Sequence, residues 1–450
     1  MTRLTRALAI FFAILSGAPK AEPAERYTIA LAGDSIITRK LSVYDEPEFL
    51  SVLSRIRSAD VAFTNVEMLF HDYESYPMAS SGGTYMRAQP ELAKELAWAG
   101  FDLGGLANNH SGDYGPQAML LTEKYVRDAG ITAAGVGKSL AEAREAKFLE
   151  TGNARIALIS VASTFPEHAM AGKSRDDIPP RPGLNPLRHE TTYRVTRDEL
   201  EALRRTMKSL SISAPGVGDS LTFLDQRFEV SDRPQVLTEP DKGDLEEIAA
   251  IVRNAESLAD FTIVSIHTHE SEGDRSVPAR FVVDFARRMI DEGADVFVGH
   301  GPHVLRGIEI YKGKPILYSL GDFIFQNETL QRLPSENYAP LGLGENKGLS
   351  DFNDARYDHD RTGFPASPEI WESVVAEAVF QGKELAELKL HPISLGFGKP
   401  RYVRGRPMRA DEALSRKIVS DLTRLSKPFG TDVQYLDGVG IVRLKTRTTN

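Results

Sequence analysis

No cysteine occurs among the 450 residues. That absence excludes a disulfide framework, thiolate metal ligands and a lipidated cysteine behind an export signal, so any metal must be held by histidine, carboxylate, amide or water. A basic excess is missing too: 54 Lys and Arg face 63 Asp and Glu, a formal charge of −9. Such a chain repels a nucleic-acid backbone on average, and nucleic acid is not an expected partner. There is no internal repeat. The apolar run from Ala7 to Leu15 is about half the roughly 20 residues that span a membrane. Arg3 and Arg6 precede it and Ser16-Gly17-Ala18 follows, which reads as an export signal over residues 1–18, cleaved after Ala18. The expected location is therefore periplasmic or secreted, with an uncleaved anchor as the alternative.

A hydrophobic fraction of 41% over this length builds a sizeable core. Short β-branched or apolar runs alternate with longer amphipathic stretches, the pattern of an α/β fold with a largely parallel or mixed sheet. Strands are expected at Tyr27 to Ala32, Val61 to Thr64, Leu103 to Ala107, Arg155 to Val161, Phe261 to Ile266, Val296 to Val298 and Ile316 to Ser319. Helices are expected at Pro90 to Ala99, Pro116 to Ala129 and Pro278 to Asp291, each opened by a proline tolerated in a first turn. Val374 to Phe380 and Glu384 to Leu390 read as a hairpin that finishes the sheet. The expected organisation is one domain over residues 26–400, with irregular insertions at 166–237, holding one helix from Thr196 to Ser209, and at 327–369. The remaining residues 401–450, with helical periodicity from Ala410 to Leu425, form an extension packed on it.

Polar residues follow nearly every expected strand: Gly33-Asp34, Asn65-Val66-Glu67, Asn108-Asn109-His110, His267-Thr268-His269-Glu270, Gly299-His300-Gly301-Pro302-His303 and Gly321-Asp322. In open α/β sheets the carboxyl ends of strands line the ligand crevice, so these groups converge from distant positions. Five of the ten histidines lie in these clusters. In His267-x-His269 the two-residue period of a strand puts both rings on one face. Carboxylates Asp34 and Glu67 with the Asn109 amide give a mixed N/O donor set suited to Mn, Fe or Zn. Taken singly, Gly33-Asp34 is also an ordinary turn and Asn65-Val66-Glu67 an ordinary helix cap.

The motif order continues through Asp113-Tyr114-Gly115, Val304-Leu305-Arg306-Gly307-Ile308-Glu309 and Tyr318-Ser319-Leu320-Gly321-Asp322-Phe323. In this it resembles the CapA family of poly-γ-glutamate capsule proteins, a distant branch of the calcineurin-like metallophosphoesterases. The resemblance implies a layered αββα sandwich with insertions, holding one or two divalent ions. It implies Asp34, Asn65 or Glu67, Asn109, His267, His269, His300 and His303 as metal ligands, and His110 with Asn109 as catalytic residues. Because many members carry Asn at the position of Asp322, that residue is expected only to support the ligands. The Asp-x-His opening of ordinary metallophosphoesterases is absent, and their Gly-His-x-His is stretched to Gly-His-x-x-His.

The function expected from the resemblance is metal-dependent hydrolysis of an amide or γ-glutamyl bond in a carboxylate-rich polymer or small peptide-like substrate, at or near the cell envelope. Arg181 and Arg188 are candidates for forked contacts to its carboxylates; as exposed arginines of a rigid proline-rich loop they have a structural reading as well. Two alternatives remain open at this point: a phosphomonoesterase or phosphodiesterase, and a non-catalytic factor for polymer binding or export.

Overall fold

The computed structural model describes residues 26–213, 216 and 218–444; the export-signal segment lies outside them. The fold is mixed α/β, with two large sheets. Their strands are β1 (Arg26–Ile36), β2 (Val61–Asn65), β3 (Leu103–Gly105), β4 (Thr132–Ala134), β5 (Lys147–Glu150), β6 (Arg155–Ala162), β7 (Phe261–His267), β8 (Val296–His300), β9 (Ile308–Tyr311), β10 (Lys314–Leu317), β11 (Asp322–Phe325), β12 (Glu372–Gln381), β13 (Glu384–Ser394), β14 (Met408–Arg409), β15 (Val433–Leu436) and β16 (Val439–Val442).

The ten-stranded sheet runs β15-β16-β13-β12-β1-β2-β3-β4, with β11 also on β1 and β14 on β13. The six-stranded sheet runs β9-β10-β8-β7-β6-β5. In each sheet the strands carrying polar residues at their carboxyl ends are parallel to one another, β1 with β2 in the first and β7 with β8 in the second, while β11, also parallel to β1, brings Asp322 to the same place at its amino end. Their carboxyl ends therefore lie together.

Side-chain alternation sets the packing. One apolar cluster takes Tyr27, Ile29, Leu31, Phe63 and Leu103 from the first sheet together with Ile156, Leu158, Ile263, Val296 and Val298 from the second. The intervening residues Ala30, Ala32 and Ala62 pack instead with Phe49, Leu53 and Ile56 of α1 (Pro47–Ser58), Leu96 of α2 (Ala93–Ala99) and Val126 of α3 (Gly115–Asp128). Ile159, Val264 and Phe297 of the second sheet pack with Ile248 and Val252 of α4 (Lys242–Leu258) and Phe281, Phe285 and Met289 of α5 (Arg280–Asp291). The i, i+4, i+8 spacing in α5 gives it a continuous apolar stripe.

Three expectations are corrected. The stretch 166–237 is not irregular: besides the helix Arg197–Ser209, capped by Thr196 and Glu199, it carries strands His189–Val195, Ser220–Phe223, Gln226–Val230 and Gln235–Pro240 in a four-stranded sheet. Those strands are only half-buried over a small core of Leu200, Met207 and Leu221, so charged residues interrupt the apolar signal. The stretch 327–369 holds helices Ser335–Tyr338 and Leu349–Tyr357 rather than a bare loop. It is tied down by Arg404, which gives Glu328 hydrogen bonds of 2.6 and 2.5 Å, and by Arg401 on Asp354 and Asp360. The β12–β13 hairpin does not finish the sheet, because β16 pairs with β13 through Lys389 and Leu390, and β15 pairs with β16. Helix α6 (Glu412–Ser426) packs Ile418 and Leu422 against the cluster between the sheets.

Candidate metal centre

Strand register brings the polar ends side by side. Asp34 of β1 is paired with Asn65 of β2 on one side and Asp322 of β11 on the other. Gly33 allows this approach: a Cβ there would stand 1.7 Å from the carbonyl oxygen of Gly321, the same oxygen that accepts a hydrogen bond from Asp34 N at 3.1 Å. Asn65 donates Nδ2 to Asp34 Oδ1 at 2.7 Å. In the second sheet the last residues of β7 and β8, His267 and His300, are register partners, with their Nδ1 atoms 3.1 Å apart. His269 lies past the end of β7, yet its Nε2 stands 3.1 Å from His267 Nε2.

The turn after β8 does the rest. Gly301 has φ of 114°, a conformation only glycine adopts without strain, and its N–H donates to Asp34 Oδ2 at 2.8 Å. His303 is held at φ 58°, costly for a non-glycine residue and typical of functional sites. Its Nδ1 meets Asp322 Oδ1 at 2.8 Å, and its ring lies against Phe325 and Phe364, centroids 5.3 and 5.4 Å away.

Three groupings of donor atoms within 4.8 Å of one another could each hold a cation: Asp34, His267 and His300; Glu67, His267 and His269; and Asp34, Glu67, His303 and Asp322. Glu67 and Asp34 each belong to two of them. His110 approaches from the other side, with Nε2 at 3.7 Å from Glu67 Oε1 and Nδ1 at 2.7 Å from Asp113 Oδ2. Asp113 is itself fixed by the backbone N–H groups of Gly82, at 3.0 Å, and Met86, at 2.8 Å.

The donor set fits a divalent cation on an observation independent of residue type. Asn65 Oδ1, both oxygens of Glu67, Asn109 Oδ1 and Asp322 Oδ2 are buried without a hydrogen-bond partner. Buried acceptors are ordinarily satisfied, and leaving one bare costs about 1–3 kcal/mol. Five bare acceptor oxygens on residues gathered around these groupings form a concentration of unshared lone pairs that a cation relieves.

The electrostatics agree. Burial pushes Glu67 well above the usual carboxylate range, reinforced by repulsion from Asp34 and Asp322. Burial also opposes ionisation of Asp34, but hydrogen bonds and charge from His267 and His300 outweigh it and hold that carboxyl well below its ordinary value. Burial raises Asp322 to about 6, with His303 opposing. His267 falls to about 4 and His269 well below its usual value, chiefly through burial, which keeps both imidazoles neutral as ligands must be. For His303 the effect of burial is outweighed by Asp322, and its pKa rises.

Of the residues expected to converge, Asp34, Glu67, His267, His269, His300 and His303 supply donors to the three groupings, and Asn65 bridges Asp34 and His267. Asn109 is buried, donates Nδ2 to Gly82 O at 3.0 Å and leaves Oδ1 bare. Two residues go beyond the expectation. Asp322, read as a supporting residue, presents a donor atom directly, as its register opposite Asp34 requires. Asp113, recognised only as part of a motif, holds His110; its three-residue spacing from His110 was the available signal. Arg181 and Arg188 have other partners: Arg181 donates Nε to Met170 O at 2.7 Å, and Arg188 grips Asp244 at 2.7 and 2.9 Å.

The chain is similar to several known proteins. The Sinorhizobium fredii protein y4sH is 36% identical over 96% of both chains. The capsule biosynthesis protein CapA of Bacillus anthracis is 26% identical over 67% of this chain and 60% of its own length. A probable polyglutamine synthesis accessory protein of Mycobacterium tuberculosis is 30% identical over 49% of this chain and 44% of its own. The family model described as "Bacterial capsule synthesis protein PGA_cap" matches residues 28–327, which contain every donor of the three groupings, and the chain belongs to that family.

Proposed function

We propose that the protein is a metal-dependent hydrolase of capsule or poly-γ-glutamate metabolism, acting at the cell envelope on an amide or γ-glutamyl bond in a carboxylate-rich substrate. The observation that carries the metal requirement is the set of bare, buried acceptor oxygens on Asn65, Glu67, Asn109 and Asp322. A layered αββα arrangement belongs to the same reading, supported by the apolar cluster shared between the two sheets and by the helices packed on their other faces. Asp34, Glu67, His267, His269, His300, His303 and Asp322 would hold one or two ions of Mn, Fe or Zn. Lewis-acid polarisation of the scissile group and a more acidic water are the chemistry such ions supply.

His110 is the proton carrier. With Nδ1–H donated to Asp113, its Nε2 is left as the free basic nitrogen, directed toward Glu67. A histidine so oriented by a carboxylate can take a proton from the attacking water on Nε2 and then pass it to the leaving amine. His110→Ala should lower turnover by about a hundred- to ten-thousandfold while metal content, read by elemental analysis, stays unchanged; full turnover in the variant removes His110 from the mechanism. Phosphoester hydrolysis is the second reading, favoured by the resemblance to metallophosphoesterases. Turnover of aryl phosphates in place of γ-glutamyl peptides by metal-loaded protein would select it.

A further inference from the structure

A cavity of about 650 Å³ adjoins the centre and contains none of its donor residues. Its walls nevertheless continue from it. On one side Val304 and Leu305 follow His303 directly, and the loop from His269 brings Arg275, Ser276 and Val277 to the rim. On the other side Ser367 and Glu369 follow Phe364, whose ring packs on that of His303. Buried Arg306 ties the first wall together, donating to Arg275 O at 3.0 Å and Glu270 O at 2.9 Å.

The charges lining the cavity are mostly neutralised. Asp274 accepts from the backbone N–H and hydroxyl of Ser276, Glu372 and Asp421 share Lys417, and Arg424 pairs with Asp421. Two exposed charged side chains of the lining, Arg275 and Glu369, have no hydrogen-bond or ion-pair partner among the described residues. They make no salt bridge with each other, although both line the same cavity. The lining as a whole holds four acids against two arginines, which disfavours a purely anionic ligand and suits one carrying an ammonium group beside its carboxylate.

We propose that this cavity is the subsite for the free amino-acid end of the substrate, with Arg275 taking an α-carboxylate through its fork and Glu369 an α-ammonium group. This rests on the hydrolase reading for its biological meaning, but the binding it predicts needs no turnover. An enzyme with such a subsite works from a free amino terminus and discriminates against blocked ends.

The test is calorimetric titration of the full-length protein with γ-L-glutamyl-L-glutamate and with its N-acetyl counterpart. Wild type should bind the free-amine dipeptide about tenfold or more tighter than the acetylated one, the scale of one hydrogen bond to a charged group. Glu369→Gln should remove that difference by weakening only the free-amine ligand. Arg275→Gln should weaken both by about ten- to a hundredfold. Both variants should retain wild-type metal content, which separates loss of the subsite from loss of the centre. Equal affinity for the two dipeptides in wild type, or unchanged binding in Arg275→Gln, overturns the assignment. Dipeptide binding that responds as described in a protein without turnover of any γ-glutamyl bond would uphold the subsite and reject the hydrolase.

Discussion

Replacing Glu67 by glutamine should have opposite effects on the metal-free and metal-loaded protein. Glu67 is fully buried, both of its oxygens lack a donor, and Asp34 and Asp322 each bring a carboxylate oxygen within 4.8 Å. At that separation and an effective dielectric near 20, two unit charges repel by about 3 kcal/mol. Part of this is already avoided in the metal-free protein, because burial and the two aspartates push the Glu67 carboxyl well above its ordinary pKa. Glutamine is nearly isosteric, carries no charge and brings N–H donors to a site rich in acceptors. It should therefore stabilise the metal-free protein by about 1–3 kcal/mol. The same change removes a ligand from two of the three donor groupings. Wild type at an ion concentration of 100 times Kd gains about 2.7 kcal/mol from mass action, and Glu67→Gln should lose most of that gain. Thermal unfolding of both proteins, in chelator and across a Mn titration, reads the two effects separately. A variant that is less stable than wild type in chelator, yet gains as much from Mn, would refute the reasoning by making Glu67 a structural carboxylate.

Other predictions address the support of the centre. Gly33→Ala should destabilise the protein by about 1–3 kcal/mol or more and lower bound metal, since the new Cβ meets Gly321 O at 1.7 Å and must part β1 from β11; unfolding and elemental analysis check it. Asp244→Ala should cost about 3–5 kcal/mol in a urea titration, because Asp244 is buried and the equally buried Arg144 loses a partner. Turnover per bound metal should not change in that variant, since its other partner, Arg188, is engaged outside the donor groupings. His71 is fully buried and its pKa is driven down to about 4, first by burial and then by Arg87. The unfolded chain takes up that proton near pH 6.5, so the stability His71 contributes is present above that pH and is lost as the pH falls toward 4. The loss is at most about 3 kcal/mol, and His71→Asn should flatten urea midpoints over that interval relative to wild type.

The parts of the molecule legible in the sequence are those where one physical signal dominated. Runs such as Phe261–Ile266 and Val296–Val298, buried on both faces, read as strands because nothing polar interrupts them. The polar residues at their ends stood out for the same reason. Asp322 was harder to weigh, since its place in a donor grouping follows from a register opposite Asp34 that sequence separation conceals. The half-exposed strands His189–Val195 and Gln235–Pro240 alternate charge with small β-branched residues and cover only a small core, so they resemble loop. Arg181 and Arg188 attracted a substrate role by their charge and their proline-rich setting. Their partners, Met170 O and Asp244, are set by tertiary contacts no local pattern encodes.

The hydrogen bond from Gly301 to Asp34 joins residues 267 positions apart, and each of the three donor groupings likewise combines residues from distant parts of the chain. Capture of an ion by these groupings would therefore have to wait for the two sheets to meet. Contacts of such separation carry a large loop-closure entropy and form late. A partly synthesised or partly unfolded chain has scattered imidazoles but no coordination sphere. Affinity for an ion would thus report that the entire architecture is complete.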